Sequence, residues 1–332
     1  MQKIFFTPAE VSDLMDKYSS MGLPFLFGFN YEMDSAFFIP EPEGQNEIKY
    51  KFGNGTNCKR DILANLTDEG LKIISTDQFE EYKSKFNIIL NGLKRGDSYL
   101  ANLTCRSKIM LSMEREEVLK STHSPFALYI PGVFLCFSPE RFVKIEDGII
   151  SSYPMKGTID AALPDAENRI LNDYKESCEH ATIVDLIRND LGIVSDEVWV
   201  ERYRYIDKIL TDRGEILQVS SDIRGRIKAC YNNSYGQLVT SLLPAGSISG
   251  APKKATVDLI AEAEVIPRGY YTGVAGLFDG RVLDSAVLIR FLEFANNGET
   301  YYRSGGGITI NSRADEEYSE MIKKIYLPLN TL

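Results

Sequence analysis

Strand-like runs joined by tight turns, with no helix between them, constrain this chain most. Residues 142–145 and 149–152 flank Glu146-Asp147-Gly148, a strong hairpin signal. Further strand-like runs occupy 98–104, 126–130 and 133–137, and 270–279, 281–294 and 299–310 alternate as strands later in the chain. Short turns return a strand beside its predecessor in antiparallel sense. Helical patterns are interleaved with them. Residues 78–95 form an amphipathic pattern ending at Gly96. Residues 164–191 read as one long helix, with Pro164 near its start and Gly192 near its end. A helix at 252–264 follows the turn-rich GSISGAP, and 313–327 forms a last one. The expected class is α/β (α+β), with mixed, largely antiparallel sheets and flanking helices. Residues 40–60, rich in Pro, Gly and Asn, read as an exposed loop. Residues 1–95 are the least patterned and read as a short N-terminal flanking region of the same fold. The chemistry-bearing segments all fall in 96–332, and no linker or internal repeat separates the two.

Composition removes several classes of function. With 332 residues and 44% hydrophobic content, the chain can bury a sizeable core. Its net charge of −10 argues against nucleic acid, which needs a basic surface. No apolar run approaches the roughly 18 residues of a membrane span, and the first residues do not read as a signal peptide. The five cysteines are odd in number and lack CxxC spacing, so neither a disulfide framework nor a zinc site is expected, and a cytoplasmic setting fits best. With only His123 and His180, acid–base work falls to Glu, Lys or Tyr. A Cys-His glutaminase triad has almost no material here.

Candidate site residues lie in seven separate segments. Glu176 and Glu179 are three apart in the long helical pattern, and Glu317, Glu320 and Lys324 follow at i, i+3 and i+7, so each set shares a helix face. Such carboxylate pairs either hold a hard divalent cation such as Mg²⁺ or are solvated helix faces. Lys156, in PMKGT, is either a nucleophilic amine or a surface lysine at a turn; Gly157 allows close backbone approach there and Thr158 offers a hydroxyl. Glu140, after Ser138-Pro139, is either a general acid or an edge-strand carboxylate. SGGGIT (304–309) supplies either bare N–H groups for a carboxylate or a tight turn. GSISGAPK offers a second anion cradle at a helix start. Arg290 stands alone among apolar residues in AVLIRFLEF, and a lone buried arginine calls for an anion.

Taken together, SPERF…PMKGT, EHATIVDLIRNDLG, LLPAGSISGAPK, RGYYTGVAG and SGGGIT…EEYSE occur in the order found in chorismate-utilising enzymes, and the chain resembles that family over roughly 95–327. Within the family, Pro154-Met155-Lys156-Gly157-Thr158 and SYLANLT (98–104) are most similar to aminodeoxychorismate synthase component I; anthranilate synthases carry alanine where Lys156 stands. The resemblance implies the fold of those enzymes and amination of chorismate at C4 to 4-amino-4-deoxychorismate. It implies Mg²⁺ held by Glu179 and Glu320, with Glu176 and Glu317 in support. It further implies Lys156 as nucleophile and Glu140 as acid. Substrate contacts would come from Gly157, Thr158, Ser247, Tyr271, Arg290, Gly305, Gly307 and Lys324. Ammonia would come from a separate glutamine amidotransferase subunit (component II), and the product would pass to aminodeoxychorismate lyase. Two positions depart from the family pattern. Leu100 stands where relatives carry Lys or Gln, and Gln218 where they often carry His; Asn102 is kept. Anthranilate synthase component I and a non-catalytic chorismate-binding subunit are the competing readings.

Overall fold

Alternation along single strands builds a helix–sheet–sheet–helix stack. In the computed structural model, which describes residues 3–58, 70–211 and 214–329, every strand pairing is antiparallel. Among the described residues one sheet has ten strands, with Val274–Phe278, Leu283–Val287 and Arg141–Glu146 side by side near its middle. The other has nine, with Leu100–Leu111 beside Thr300–Ile308. Strand Phe25–Phe29 illustrates the period of two. Phe25, Phe27 and Phe29 pack with helices Pro8–Ser20, Tyr174–Val194 and Tyr235–Leu242, whereas Leu26 packs with Phe126, Leu128 and Phe134 of the other sheet. On the far side, Ala101, Leu103 and Cys105 meet Phe79–Arg95 and Lys253–Glu264.

Local signals explain several boundaries. Asp147 and Gly148 both have positive φ (49° and 75°), as a tight hairpin turn between Arg141–Glu146 and Ile149–Ser152 requires. Gly96 closes Phe79–Arg95 in the left-handed conformation. The region before residue 95 supplies strands to both sheets, including Phe25–Phe29 and Lys49–Phe52. Among the described residues no helix is long and apolar enough to cross a membrane.

Three expectations need correction. The helix read at 164–191 is two, Ala166–Asn172 and Tyr174–Val194, because Asp173 leaves helical geometry and its side chain caps the second helix through the Glu176 N–H. The single strand read at 281–294 is also two, Leu283–Val287 in one sheet and Phe291–Phe294 in the other. The chain crosses at Arg290, whose φ is 55°. The loop read at 40–60 contains strand Lys49–Phe52, with Tyr50 and Phe52 buried against the core; residues 59 and 60 lie outside the described residues.

Candidate active site

The floor of the cavity that gathers most of the candidate residues comes from two adjacent strands. Gly305 and Gly307 of Thr300–Ile308 stand directly opposite Thr104 and Asn102 of Leu100–Leu111, so these residues share one face. A Cβ on Gly305 would lie 2.4 Å from the Leu103 carbonyl oxygen, and one on Gly307 would lie 3.1 Å from Leu100 Cδ1. A side chain would collide with the neighbouring strand at Gly305 and crowd Leu100 at Gly307, so bare backbone is what this part of the wall can hold. Beyond Arg303, strand Phe291–Phe294 no longer pairs with this strand, so the glycine segment has no sheet neighbour on that edge among the described residues. The resulting cavity of about 270 Å³ is lined from both sheets and from Tyr174–Val194, close to the lower end of the roughly 300–1,000 Å³ usual for small-molecule sites.

Glu140, Lys156, Ser247, Tyr271, Arg290, Gly305, Gly307 and Lys324 all line this cavity. Glu140 accepts a hydrogen bond from Ser247 Oγ at 2.9 Å. Burial holds its carboxyl above the ordinary value, against the pull of that bond and of Lys156, Arg290 and Lys324. Tyr271 is buried, and burial pushes its phenol well up. Arg290 Nε donates to Tyr326 Oη at 3.2 Å and the guanidinium lies over that ring, but among the described residues no carboxylate pairs with it. Lys324 Nζ bridges the Gly305 carbonyl at 3.0 Å and Glu320 at 2.7 Å.

The four carboxylates expected to hold a cation, Glu176, Glu179, Glu317 and Glu320, do not line the cavity. Lys156 Nζ is 3.9 Å from Glu179 Oε2. Burial raises Glu176, and its neighbours Glu179 and Asp173 raise it further; burial likewise raises Glu317, with Glu320 adding to the shift. Burial opposes ionisation of Glu320 too, but the hydrogen bond from Lys324, helped by Lys156 and Lys175, leaves it below the ordinary value. Lys175 acts on both Glu317 and Glu320, so the two pairs share one charged neighbourhood. Carboxylates that raise one another are donors a hard cation would relieve, so Mg²⁺ fits their chemistry. As the side chains stand, no three such groups among the described residues are close enough to hold an ion.

Gly157 and Thr158 lie outside the cavity lining. The pairing of Met155–Asp160 with Gly214–Ile227 shifts register between Met155 and Thr158, and Gly157 has φ 80°. Thr158 is exposed, and a Cβ on Gly157 would meet Glu176 Oε2 at 3.0 Å. The close approach foreseen at Gly157 is thus toward the helix carrying the acidic pair. Gln218, directly opposite Thr158, does line the cavity.

Asp190 has a part that sequence reasoning missed. Its carboxylate takes Lys253 Nζ at 2.9 Å and the Gly246 N–H at 3.3 Å, which holds the turn carrying Ser247. The available signal was an acid beside the apolar stripe Ile183, Ile187, Leu191.

The chain is similar to known proteins over most of its length. Over 316 residues the chain is 43% identical to "Uncharacterized PabA-like protein" of Haemophilus influenzae, covering 94% of each. It is 33% identical to anthranilate synthase component 1 1 of Haloarcula marismortui, over 74% of this chain and 52% of that one. It is 30% identical to aminodeoxychorismate synthase component 1 of Bacillus subtilis, over 70% and 51%. In fold it is similar to MenF, the menaquinone-specific isochorismate synthase of Escherichia coli, with a TM-score of 0.74 at 14% identity, over 96% of this chain and 82% of that one. The sequence model of the chorismate binding enzymes matches residues 62–330, and on that span the chain belongs to this family.

Proposed function

We propose that the chain aminates chorismate at C4, with ammonia, to give 4-amino-4-deoxychorismate. One observation carries this reading: the cavity wall presents a lysine, Lys156, together with a half-buried carboxyl, Glu140, raised toward its acid form. Named relatives of both amination chemistries match at similar identity, so their names do not choose between them. A lysine in the wall does favour one, because it supplies a nucleophile that addition of ammonia at C2 does not need.

In this reading Arg290, Tyr271 and Lys324 pair with the substrate's carboxylates, since a buried dianion must be compensated. Lys156 Nζ attacks C2, the ring double bonds shift, and the C4–O bond breaks. Glu140 gives its proton to the departing hydroxyl, which leaves as water. Ammonia then bonds to C4, the double bonds shift back, and the bond from C2 to Lys156 breaks. The surplus proton returns to Glu140, and the enolpyruvyl ether is retained. Mg²⁺ would be held by Glu179 and Glu320, with Glu176 and Glu317 supporting through water, and would supply positive charge to the substrate's ring carboxylate. Ammonia would come from a separate glutaminase subunit, and a lyase would consume the product.

The test is incubation of the purified chain with chorismate, Mg²⁺ and an ammonium salt, with products identified by mass spectrometry. The expected product keeps the enolpyruvyl group; anthranilate plus pyruvate would overturn the reading in favour of an anthranilate synthase. Lys156→Ala should slow amination by about 10³-fold or more, as loss of a covalent nucleophile does. A wild-type rate in that variant with chorismate and ammonium saturating would remove the covalent step.

A further inference from the structure

The segment read as an anion cradle, GSISGAPK (246–253), does hold an anion, and it is one of the chain's own. Asp190 reaches it from the helix Tyr174–Val194 and takes both of its ends. One carboxylate oxygen pairs with Lys253 Nζ at 2.9 Å, and the other accepts the Gly246 N–H at 3.3 Å. Lys253 also donates to the Leu242 carbonyl at 2.8 Å, so the two ends of this stretch of chain are drawn to one place. The fit leaves no slack. A Cβ on Gly246 would lie 2.6 Å from Asp190 Oδ2 and 3.2 Å from Leu186 Cγ. Only 14% of the Asp190 side chain is exposed, and none of the steps above uses it.

What this contact fixes is the four-residue helix Gly246–Ser249. A helix so short has no stability of its own, and its first N–H groups find no partner within it. Asp190 supplies a partner at the start, and Arg268 Nη1 holds the Ile248 carbonyl at 3.3 Å. Ser247 lies between these ties, and its Oγ donates to Glu140 Oε1 at 2.9 Å. That bond favours the ionised carboxyl. Lys156 on the strand Met155–Asp160, Arg290 at the crossing between the sheets and Lys324 at the end of the helix Ala314–Lys323 act in the same sense, and burial opposes all four. The other ionisable side chains of the lining besides Asp190 are Arg141, paired with Asp284 at 2.7 Å, and the phenols Tyr153 and Tyr271. Charges act over a range of distances, whereas a hydrogen bond weakens steeply as its angle opens. The Ser247 bond is therefore the influence on Glu140 that depends on the turn being held.

We infer that Asp190 is a positioning residue for the acid: by closing GSISGAPK on itself it aims the Ser247 hydroxyl at Glu140 and so sets how readily Glu140 parts with its proton. This rests on the reading of Glu140 as the group that protonates the departing C4 hydroxyl. Asp190 takes no part in the proton transfer itself. When its tie to Gly246 is lost, the Ser247 hydroxyl drifts, the Glu140 carboxylate loses a donor, and the acid form persists to higher pH. The direction separates this route from a plain charge effect. Deleting a negative charge near Glu140 eases its ionisation and moves its titration down; loosening Ser247 moves it up.

The test is the pH profile of kcat/KM for chorismate, at saturating Mg²⁺ and constant saturating free ammonia, in Asp190→Asn, Ser247→Ala and the double variant, with melting curves as a check on folding. Asparagine keeps the size, but its one oxygen cannot serve Lys253 and Gly246 together. The alkaline limb should rise by about one pH unit in each single variant, the tenfold weaker acid that a lost hydrogen bond brings. The double variant should match Ser247→Ala, because nothing is left for Asp190 to aim. Gly246→Ala keeps the Asp190 charge but crowds its carboxylate; it should move the limb the same way, and it carries the test if Asp190→Asn does not fold. A limb that stays put in a folded variant makes Asp190 purely structural, a limb that falls makes it a charge effect, and shifts that add in the double variant rule out the route through Ser247; each result overturns the inference. The reading of the acid fails separately. A Glu140→Gln variant that keeps the alkaline limb sinks that reading, whereas a limb lost there but unmoved in the Asp190 and Gly246 variants sinks this inference alone.

Discussion

Arg268 and Arg290 flank the segment that brings Tyr271 to the cavity, and their surroundings treat charge in opposite ways. Arg268 is sealed, with its side chain only 1% exposed and its partner Glu264 only 5%. Its guanidinium spends its donors inside the protein, on both oxygens of Glu264 and on the carbonyls of Asn102 and Ile248. Glu264 in turn accepts the Thr104 N–H. Arg290 is half-buried and meets one phenol and no carboxylate among the described residues. Its backbone holds a left-handed φ of 55°, which costs a non-glycine residue energy. A saturated buried pair is architecture; a cation held by strain in a cavity wall and left without an anion is arranged for a ligand. Through the carbonyls of Asn102 and Ile248, Arg268 also fastens the floor strand to the helix Gly246–Ser249.

Removing the sealed cation should have the largest effect on stability. Arg268→Met leaves Glu264 charged and enclosed, and breaking a buried pair from one side costs about 3–5 kcal/mol. Urea unfolding should show that loss as a lower midpoint at unchanged slope. A cost below about 1 kcal/mol would mean that Glu264 finds water or another partner, and the contrast between the two regions would lose its structural half.

Glu140 tests the open region next. Its carboxyl is raised by burial, so the acid form persists to higher pH than an exposed glutamate allows. A reaction that needs this proton runs below the raised value and slows as pH climbs through it. Glu140→Gln keeps the hydrogen bond to Ser247 feasible but has no proton to give. The rate should fall by about 10²-fold, and the alkaline limb assigned to Glu140 should disappear from the pH profile of kcat/KM. The same limb in the variant would place the acid elsewhere.

How much of this was legible in the sequence depends on whether the deciding contact is local. The hairpin at Asp147-Gly148 and the stop at Gly96 are written into adjacent residues, and both read correctly. The break at Asp173 is local too, but Asp173 sits in a stretch whose helical pattern runs through it, and only its cap geometry reveals the interruption. The strand at 281–294 reads as continuous because it is rich in apolar residues and has no Gly or Pro to break it. Its division reflects membership of two different sheets, which no short window contains. The same limit applies to the site. Glu140, Lys156, Arg290 and the glycine run could be picked out by residue type, and they meet in one cavity. Thr158 could not be placed, because the irregularity at Gly157 decides which face it takes. The ties of Asp190 to Lys253 and Gly246 depend on helices far apart in the chain.

Arg290→Met should have the smallest effect of the three, and it separates the two regions most cleanly. Methionine keeps an unbranched stem of similar reach and removes only the charge and its donors. If Arg290 waits for a substrate carboxylate, its loss orphans no protein group, because Tyr326 can turn its hydroxyl to solvent or to water in the cavity. The midpoint of unfolding should then stay within about 0.5 kcal/mol of the parent. The KM for chorismate should rise by about tenfold, since a charge-assisted bond to a carboxylate is worth about 1.5–3 kcal/mol and part of it is recovered from Tyr271 and Lys324. A midpoint that drops as far as that of Arg268→Met would mean that the guanidinium holds the crossing between the two sheets, so that both arginines are architectural. A stable variant with an unchanged KM would leave Arg290 strained, unpaired and without a ligand, and the carboxylates of chorismate would have to be sought at Lys324 and Tyr271 alone.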